Sequence, residues 1–579
     1  MKSSKKWIAL FLAVLMAISV FAGCDNTQNT SSGSTADSTA SKSSQPAASE
    51  DTDSEAQQTG ADTDPFGKYE ETVTISAVKD LGQTGLEVPP EDSLEDNVWT
   101  RYFKDTLNIE LDWLWSTNTQ QYEQKVNIAI TSDDIPDIMR VTGTQLKMMY
   151  ENDQLMDMTE VYETYAADFT KEVMSSDGGS GMLSATFDGK LYAIPFVGSG
   201  LGNARVLWIR TDWLEKLNLE APTTVDDFMA VAEAFTTQDP DGNGVDDTYG
   251  LGVYKDLFGM GYTFNSGYAD LEGFFNMYNA YPNIWVEKDG ALAYGSIQPE
   301  VKEGLTALQD MFAKGYIDPE FGVKDANKVK EDASSDKIGM EFGGFWNAAW
   351  VNDAKVANPE IEWTPVAIPA TADGGNAKAQ LPFGTTQYYA VSSKCENPEA
   401  VIRLLNAQLE KGYGETAEPT VYNITPEGYG TYQCPPVYVE PPMKNFDAAV
   451  NVSAAIESGD TSALNQEELN YYDMSMLSIE KGDHSNNNWH QLKMFGPNGS
   501  LTVMKKYWDD GDVVENAFYG APTDTMTEKM STLEKQELTS FTGIILGADI
   551  SEFDTFIDNW NTLGGEQITE EVNAWYQEQ

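Results

Sequence analysis

The sequence predicts an α/β protein in which a mixed sheet carries helices on both faces. Short apolar runs with the length of buried strands alternate with amphipathic stretches at helical spacing. In the clearest case the run 205–209 is followed by a helix over 212–217 and by a second helix after Pro222. With 579 residues, 41% of them hydrophobic, the chain is also longer than one compact unit requires.

The second of these helices has both a start signal and a buried face. Thr224 and Asp227 have the spacing of a capping box. Apolar residues then recur at i, i+3, i+4 and i+7, as Phe228, Val231, Ala232 and Phe235. We therefore expect a helix that ends at an Asp-rich loop and a new strand that begins near Tyr249.

The same alternation holds on both sides of this region. Residues 72–78 and 109–115 alternate as strands, and helices are predicted over 99–107 and 122–130. Further on, Gly315 closes a helix that carries an apolar stripe, and a short strand is expected over 337–340. The runs 363–368 and 387–392 have the character of strands, and the last third of the chain is mainly helical.

Composition excludes several classes of function. The formal net charge is −56, which repels phosphate backbones, so nucleic acid is not an expected partner. His484 and His490 are the only histidines, too few for most histidine-centred chemistry. The chain contains no HExxH, CxxC, GxSxG or P-loop motif, so a zinc site, a catalytic triad or nucleotide chemistry has no support.

The N-terminus carries a targeting signal. Lys2, Lys5 and Lys6 precede an apolar run that ends in Ala22-Gly23-Cys24, which predicts a signal peptide over 1–23 with a lipidated Cys24. Ordinary cleavage that leaves a spare cysteine is the alternative. Residues 24–64 are rich in Ser, Thr, Asp, Ala and Gln and predict a disordered tether.

Three segments of the central stretch resemble bacterial extracellular solute-binding proteins of family 1: WIRTDWLEKL, PTTVDDF and DPDGNGVDDTYGL. This resemblance implies a two-lobed, periplasmic-binding-protein-like fold of type II, with lobes joined by crossing hinge strands. We then expect the first lobe to comprise 65–200 and 363–450. The second would comprise 201–362, with the Asp-rich loop 239–250, and the helical part 451–579.

The resemblance also implies a function. The protein would be a monomer held on the extracellular face of the cell membrane by a lipid on Cys24. It would capture a carbohydrate, such as an oligosaccharide, by lobe closure and deliver it to the permease of an ABC transporter, without chemical change. Two alternatives stay open: a surface glycoside hydrolase with paired carboxylates, and a binding protein for another solute, such as a peptide.

Candidate ligand-binding residues are aromatic platforms for sugar rings and polar groups at strand ends. Trp346 and Trp350 are spaced i, i+4 after a Gly-Gly turn, and packing of this helix on the sheet is the alternative role, more so for Trp350, which lies one turn deeper. Arg205, before a strand, and Asp137, at the end of another, are polar candidates, although each could equally form a surface ion pair. Tyr388, on a crossing strand, and Trp489, in an Asn-rich loop, complete the set of candidates.

The Asp-rich loop predicts a structural calcium ion. Its hard oxygen donors occupy positions 1, 3, 5, 7 and 9 of an EF-hand-type loop: Asp239, Asp241, Asn243, the carbonyl of Val245, and Asp247. Position 12 is Gly250 rather than the usual Glu, and an Asx-rich turn without an ion is the alternative. Cys395 and Cys434 could form a disulfide or remain free.

Overall fold

The computed structural model describes residues 63–82, 85–86, 88–258 and 268–578. The predicted signal peptide, Cys24 and nearly all of the predicted tether lie outside the described residues. Within the described ranges, no helix has the length and apolar character needed to span a membrane. Cys395 and Cys434 are both buried and free, so the alternative of a disulfide between them is not realised.

The strands are, in chain order, β1 Val73–Asp80, β2 Ile109–Thr117, β3 Ile138–Val141, β4 Thr186–Phe187, β5 Lys190–Leu191, β6 Ala193–Pro195, β7 Val206–Arg210, β8 Tyr249–Leu251, β9 Tyr268–Asp270, β10 Trp285–Lys288, β11 Ala291–Tyr294, β12 Ile338–Gly343, β13 Trp363–Val366, β14 Ala379–Leu381, β15 Tyr388–Val391 and β16 Val513–Glu515. Most of them belong to two mixed five-stranded sheets, and the others form two-stranded pairs.

The α-helices are Val98–Tyr102, Thr119–Ser132, Gly143–Glu151, Thr159–Tyr165, Asp168–Met174, Ser180–Ser184, Thr211–Leu217, Val225–Thr237, Glu272–Asn276, Pro299–Ala313, Ala326–Ser334, Ala348–Ala357, Pro398–Tyr413, Pro419–Tyr422, Lys444–Ser458, Gln466–Lys481, Asn488–Phe495, Ser500–Asp510, Asp524–Ile545, Glu552–Trp560 and Glu566–Tyr576. Two π-helical turns, Phe103–Leu107 and Asn561–Gly565, extend the helices that precede them.

The first sheet has the strand order β2-β1-β3-β15-β6. Strands β1, β2 and β3 run parallel, and β15 runs antiparallel to both β3 and β6. The second sheet has the order β13-β7-β12-β8, and β9 also pairs with β12. Here β8, β12 and β13 run in one direction, whereas β7 and β9 run in the other. The fold class predicted from the sequence, mixed sheets with helices, is confirmed.

Each sheet has its own hydrophobic core, and we name the two lobes after these cores. The first lobe packs around the first sheet and draws its buried residues from 75–197 and 388–439. The second lobe packs around the second sheet and draws its buried residues from 201–381 and 446–572. The chain therefore passes between the lobes near residues 200, 385 and 440.

The second of these passages differs from the sequence-based expectation. We expected 363–450 to belong to the first lobe, with 363–368 as a crossing strand. Instead, Trp363–Val366 pairs with β7 in the second sheet, and Ala379–Leu381 pairs with β16. The return to the first lobe is made by residues 382–387, directly before β15. A strand's apolar pattern shows that it is buried but does not show which of two cores buries it.

Local signals in the central stretch are confirmed closely. The helix Val225–Thr237 begins with the predicted capping box, in which Thr224 and Asp227 each accept the other's backbone N–H. Its predicted apolar face, Phe228, Val231, Ala232 and Phe235, is buried in the second core. The residues that precede β7 lie at the candidate site, which is described below.

Candidate functional site

The segments that connect the two sheets bring the strand ends on one side of each sheet together, and we call such a row of strand ends an edge. In the first sheet the parallel strands β1, β2 and β3 end at Asp80, Thr117 and Val141. Tyr388, the first residue of β15, lies opposite both Val141 and Pro195, so β6 also ends at this edge. The carboxyl ends of parallel strands are where α/β proteins bind ligands.

The corresponding edge of the second sheet is where β7 begins and β12 ends. Val206, the first residue of β7, pairs with Gly343, the last residue of β12. Tyr268 of β9 pairs with Gly343 from the other side. Residues 196–205 and 382–387 join the two sheets at these edges, which we call the facing edges. The space between the facing edges is the candidate site.

The two connecting segments touch each other backbone to backbone. Phe196 donates its N–H to the carbonyl of Gln387 at 2.9 Å. A Cβ atom placed on Gly384 would lie 1.9 Å from the carbonyl oxygen of Gly198, and one on Gly198 would lie 2.7 Å from that of Gly384. Only glycine fits at this contact, where the two segments that connect the lobes lie against each other as a candidate hinge.

A third crossing, residues 440–443, lies beside the first. The ring of Tyr438 stacks on Phe196 at 6.2 Å. The Tyr438 hydroxyl donates to Glu440 at 2.8 Å, and Lys444, in the second lobe, lies 3.8 Å from Glu440 and 3.1 Å from Glu467. A chain of polar contacts thus accompanies the backbone from one lobe to the other.

Trp346 lies at the facing edge of the second sheet, three residues after β12 ends. Its indole is half-buried and packs edge-on against Phe345 at 4.7 Å and against Tyr268 at 6.3 Å. Phe345 is itself fixed, because its carbonyl accepts the hydroxyl proton of Ser500 at 2.8 Å. Of the three tryptophans that the sequence predicts to bind a ligand, Trp346 has the position and the exposure that a platform for a sugar ring requires.

Trp350 and Trp489 are placed differently. Trp350 is 8% exposed and stacks in parallel on Tyr268, with 3.6 Å between ring centroids. Trp489 is 1% exposed and donates its indole N–H to Glu362 at 3.4 Å, with Lys355 and Lys493 over its ring. Trp350 supports the aromatic group behind Trp346, and Trp489 packs within the second lobe.

Arg205 also serves the interior of the second lobe. Its side chain is 4% exposed, and its guanidinium lies 2.6 Å from Asp270 and 3.1 Å from Glu272. Both carboxylates are fully buried. A buried cation held by two buried anions leaves few donors for a ligand. The sequence shows the strand-end position of Arg205 but not the two acids, which lie 65 or more residues away in the chain.

Asp137 and Tyr388 lie at opposite ends of β3. The sequence predicted Asp137 at the end of a strand, which is wrong, because Asp137 directly precedes β3. It accepts both the N–H and the hydroxyl of Ser76, at 2.8 and 2.7 Å. Because four residues of β3 separate Asp137 from the facing edge, the distance along the strand is about 13 Å. Tyr388 is at that edge, 5% exposed, and donates its hydroxyl proton to Ser184 at 2.8 Å. The geometry places Tyr388 beside the site and Asp137 behind it.

Two charged pairs at the facing edges are not among the candidates predicted from the sequence. Arg140 of β3 contacts Asp80, the last residue of β1, at 2.5 Å, and Asp80 also accepts from Gly82 N–H and the hydroxyl of Thr119. Across the lobes, Lys147 lies 2.9 Å from Asp524. The rule that selects strand ends also applies to Asp80, but the pairing depends on strand order, which the sequence does not show.

A buried carboxyl group lies beneath the aromatic group. Glu341 of β12 is 2% exposed and accepts a hydrogen bond from the Asn347 amide at 3.0 Å. Burial raises the pKa of Glu341 to about 8, and the nearby carboxylate of Asp270 adds to the shift. At neutral pH this group is therefore mainly uncharged.

The Asp-rich loop lies on the surface of the second lobe, away from the facing edges. The Asn243 amide donates to both Asp241 and Asp247, and Gly244 N–H points to Asp239 at 3.2 Å. Burial and the neighbouring carboxylates raise the pKa of Asp241. Within the residues that the structure covers, no set of three or more His, Cys, Asp or Glu side chains has metal-holding geometry.

Comparison with known families gives one extended match. A model of the family described as bacterial extracellular solute-binding protein matches residues 88–415. This span includes every strand of the first sheet except β1, all of the second sheet, and both of the glycine-paired crossings.

Three curated proteins are similar in sequence. Lipoprotein LipO of Bacillus subtilis is 26% identical over 374 residues, which cover 64% of this chain and 68% of LipO. The polygalacturonan/rhamnogalacturonan-binding protein YtcQ of the same species is 28% identical, over 42% of this chain and 46% of YtcQ. The fructooligosaccharide transporter substrate-binding protein FusA of Streptococcus pneumoniae is 28% identical, over 55% of this chain and 58% of FusA.

Solved structures share the fold over nearly the whole described chain. A solute-binding protein of Bifidobacterium longum infantis, described as binding HMO, aligns with a TM-score of 0.62 and 16% identity, covering 87% of this chain and 98% of that one. An EF-hand mutant of FusA in complex with fructo-nystose aligns with a TM-score of 0.59 and 16% identity, covering 87% and 99%. The two-lobed solute-binding fold expected from the resemblance is confirmed.

Proposed function

Because the chain belongs to the bacterial extracellular solute-binding protein family, we propose that it captures a carbohydrate between its facing edges and releases it unchanged to an ABC transporter. Closure would bring both edges onto the ligand, so that the ligand favours the closed state by its differential affinity. The proposal assigns no chemical step, in keeping with a family of binding proteins.

One observation carries the proposal: a partly exposed tryptophan, Trp346, stands at the facing edge of the second sheet. Sugar rings present C–H bonds on one face, for which an indole is a suitable surface, and hydroxyl groups at the rim. Thr117, Thr142 and Thr386 lie at or next to the edge of the first sheet and can supply polar contacts to such a rim. FusA and YtcQ, whose names specify carbohydrates, support this class of ligand.

We expect Trp346→Ala to weaken carbohydrate binding at least about tenfold, which is ~1.4 kcal/mol. The variant removes the platform and leaves β12 unchanged. Isothermal titration with a panel of oligosaccharides measures the effect. Trp508→Ala is the matched control, because Trp508 is exposed and lies about 12 Å along its helix from Ser500. Equal affinities for both variants and the parent would contradict the platform role.

Titrations extended to peptides, together with an assay for reducing ends, separate the alternatives. Release of reducing ends from a bound glycan would identify a glycoside hydrolase. Binding of peptides together with no binding of any carbohydrate would identify a receptor for another solute. Stoichiometric binding of a glycan without turnover supports the proposal.

The setting of this function follows from the N-terminal sequence. We propose that Cys24 carries a lipid which holds a monomer on the extracellular face of the membrane, next to the ABC permease. The name of LipO, a lipoprotein, supports an anchor of this kind. Mass spectrometry of the membrane fraction, with Cys24→Ala as the comparison, tests the modification, because a protein without the lipid would appear in the medium.

We also propose that the Asp-rich loop binds calcium as a structural ion. Asp239, Asp241, Asn243, the carbonyl of Val245 and Asp247 would hold it. The fit rests on the way two carboxylates already converge on the Asn243 amide. Rotation of that amide would turn its oxygen toward them, and a divalent cation would relieve their mutual repulsion. The FusA structure described as an EF-hand mutant supports such a loop in a similar fold.

Calcium added to the chelator-treated protein is expected to raise its free energy of unfolding by about 2.7 kcal/mol, when the free calcium concentration is a hundred times Kd. Differential scanning calorimetry with and without calcium measures this. Asp241→Asn should abolish most of the gain, whereas Asp246→Asn should keep it, because Asp246 is exposed in the same loop but is not among the proposed ligands. Identical unfolding temperatures with calcium and with chelator would exclude the ion.

A further inference from the structure

The charges at the facing edges are arranged against an anionic ligand. Proteins usually bind carboxylate ligands through the planar fork of an arginine. The arginines of the described chain are Arg101, Arg140, Arg205, Arg210 and Arg403. Of these, Arg140 and Arg205 lie at the facing edges, and each is already paired with carboxylates of the protein itself.

The positive charge of Arg205 is paired with two carboxylates. It contacts both Asp270 and Glu272, and all three side chains are buried. The group therefore has more negative than positive charge, and its guanidinium is not exposed to the space between the edges. A ligand carboxylate would have to displace a buried acid to reach it.

Arg140 is the more accessible guanidinium, with a quarter of its side chain exposed. Asp80 contacts it at 2.5 Å and is itself fixed by the backbone N–H of Gly82 at 2.9 Å and by the hydroxyl of Thr119 at 3.0 Å. Asp80 is thus held in place independently of Arg140. Arg140 therefore already has a carboxylate partner that the protein itself supplies.

The lysines near the edges are engaged as well. Lys147 contacts both Glu151 and Asp524. Lys79 donates to the carbonyl of Pro435 at 2.7 Å, and burial together with the charge of Arg140 lowers its pKa to about 8.

From these pairings we infer that the site takes neutral oligosaccharides and rejects uronic-acid oligomers, with Asp80 as the residue that sets this specificity. The inference rests on the proposed carbohydrate-binding function and narrows its ligand class. Asp80 cancels the charge of Arg140 and repels a second carboxylate. The net charge of −56 on the chain acts in the same direction over longer distances.

The test compares neutral and acidic glycans of equal length on the full mature chain. Fructo-, malto- and galacto-oligosaccharides are titrated beside oligogalacturonates by calorimetry, at low and at moderate salt. We expect binding of a neutral glycan at least about a hundredfold tighter than that of any uronate, ~2.7 kcal/mol. Added salt should narrow the difference, because it screens the repulsion.

Asp80→Asn removes one charge with little change of shape and exposes Arg140 to the ligand. We expect this variant to improve uronate affinity relative to neutral-glycan affinity by at least about tenfold. Asp310→Asn is the matched control, since Asp310 is in an exposed pair with Lys314 on a surface helix. The control should leave the affinity ratio as it is in the parent.

The possible outcomes distinguish a failure of the inferred specificity from a failure of the proposed carbohydrate-binding function. If uronates bind the parent as tightly as neutral glycans, or more tightly, the inference is overturned while the carbohydrate function stands. If Asp80→Asn leaves the ratio unchanged, the role of Asp80 is overturned. If no carbohydrate of either kind binds, the proposed function itself fails.

Discussion

Replacement of Arg205 with methionine is expected to lower the free energy of unfolding by about 3–5 kcal/mol. Methionine fills much of the same volume but leaves Asp270 and Glu272 buried without their cation. The cost of two unpaired buried carboxylates exceeds any gain from apolar packing. Urea unfolding in the absence of ligand measures the change.

Two comparisons sharpen this prediction. Lys314→Met removes a cation from an exposed pair with Asp310 and is expected to cost no more than about 1 kcal/mol. The deficit of Arg205→Met should shrink on acidification to about pH 5, because Asp270 has a raised pKa from burial and takes up a proton more readily once Arg205 is gone. A variant with parental stability and lost ligand binding would instead make Arg205 a ligand residue.

Gly384→Ala is expected to destabilise the chain by about 2 kcal/mol or more. The new methyl group would lie 1.9 Å from the carbonyl oxygen of Gly198, so the two crossing segments must separate. This separation would also disturb the hinge, and we expect weaker binding of any glycan that requires closure. Thermal unfolding and titration of the same preparation measure both effects.

Gly543→Ala is the matched control for the hinge glycine. Gly543 lies in the helix Asp524–Ile545, and a Cβ atom there would meet nothing within 4 Å. Alanine is the better helix former, so this variant should gain ~0.5–1 kcal/mol. If Gly384→Ala unfolded at the same denaturant concentration as the parent, the close contact of the crossing segments would be refuted.

Local structure was predictable from the sequence where the residues that determine it all lie within one helix or turn. The capping box at Thr224 and the buried face through Phe235 depend on residues within one helix, and both are confirmed. The position of Trp346 after a Gly-Gly turn was likewise visible in the chain. Such features need no knowledge of the rest of the fold.

Long-range pairing was not predictable in the same way. Arg205 and Trp489 had suitable positions in the sequence, but their partners Asp270 and Glu362 are distant in the chain. Asp137 lies next to a strand, as predicted, but it precedes that strand and is therefore at the end away from the facing edge. The assignment of Trp363–Val366 to a lobe depended on which sheet accepts it. Each of these facts is set by strand order, which a single sequence does not contain.

The central claim is that the two lobes close on a neutral oligosaccharide which they do not alter. Small-angle X-ray scattering, with and without the glycan that binds best in calorimetry, tests this most directly. The account predicts a smaller radius of gyration in the saturated protein, together with recovery of the intact glycan afterwards. An unchanged radius of gyration at full saturation, or a cleaved glycan, would contradict it.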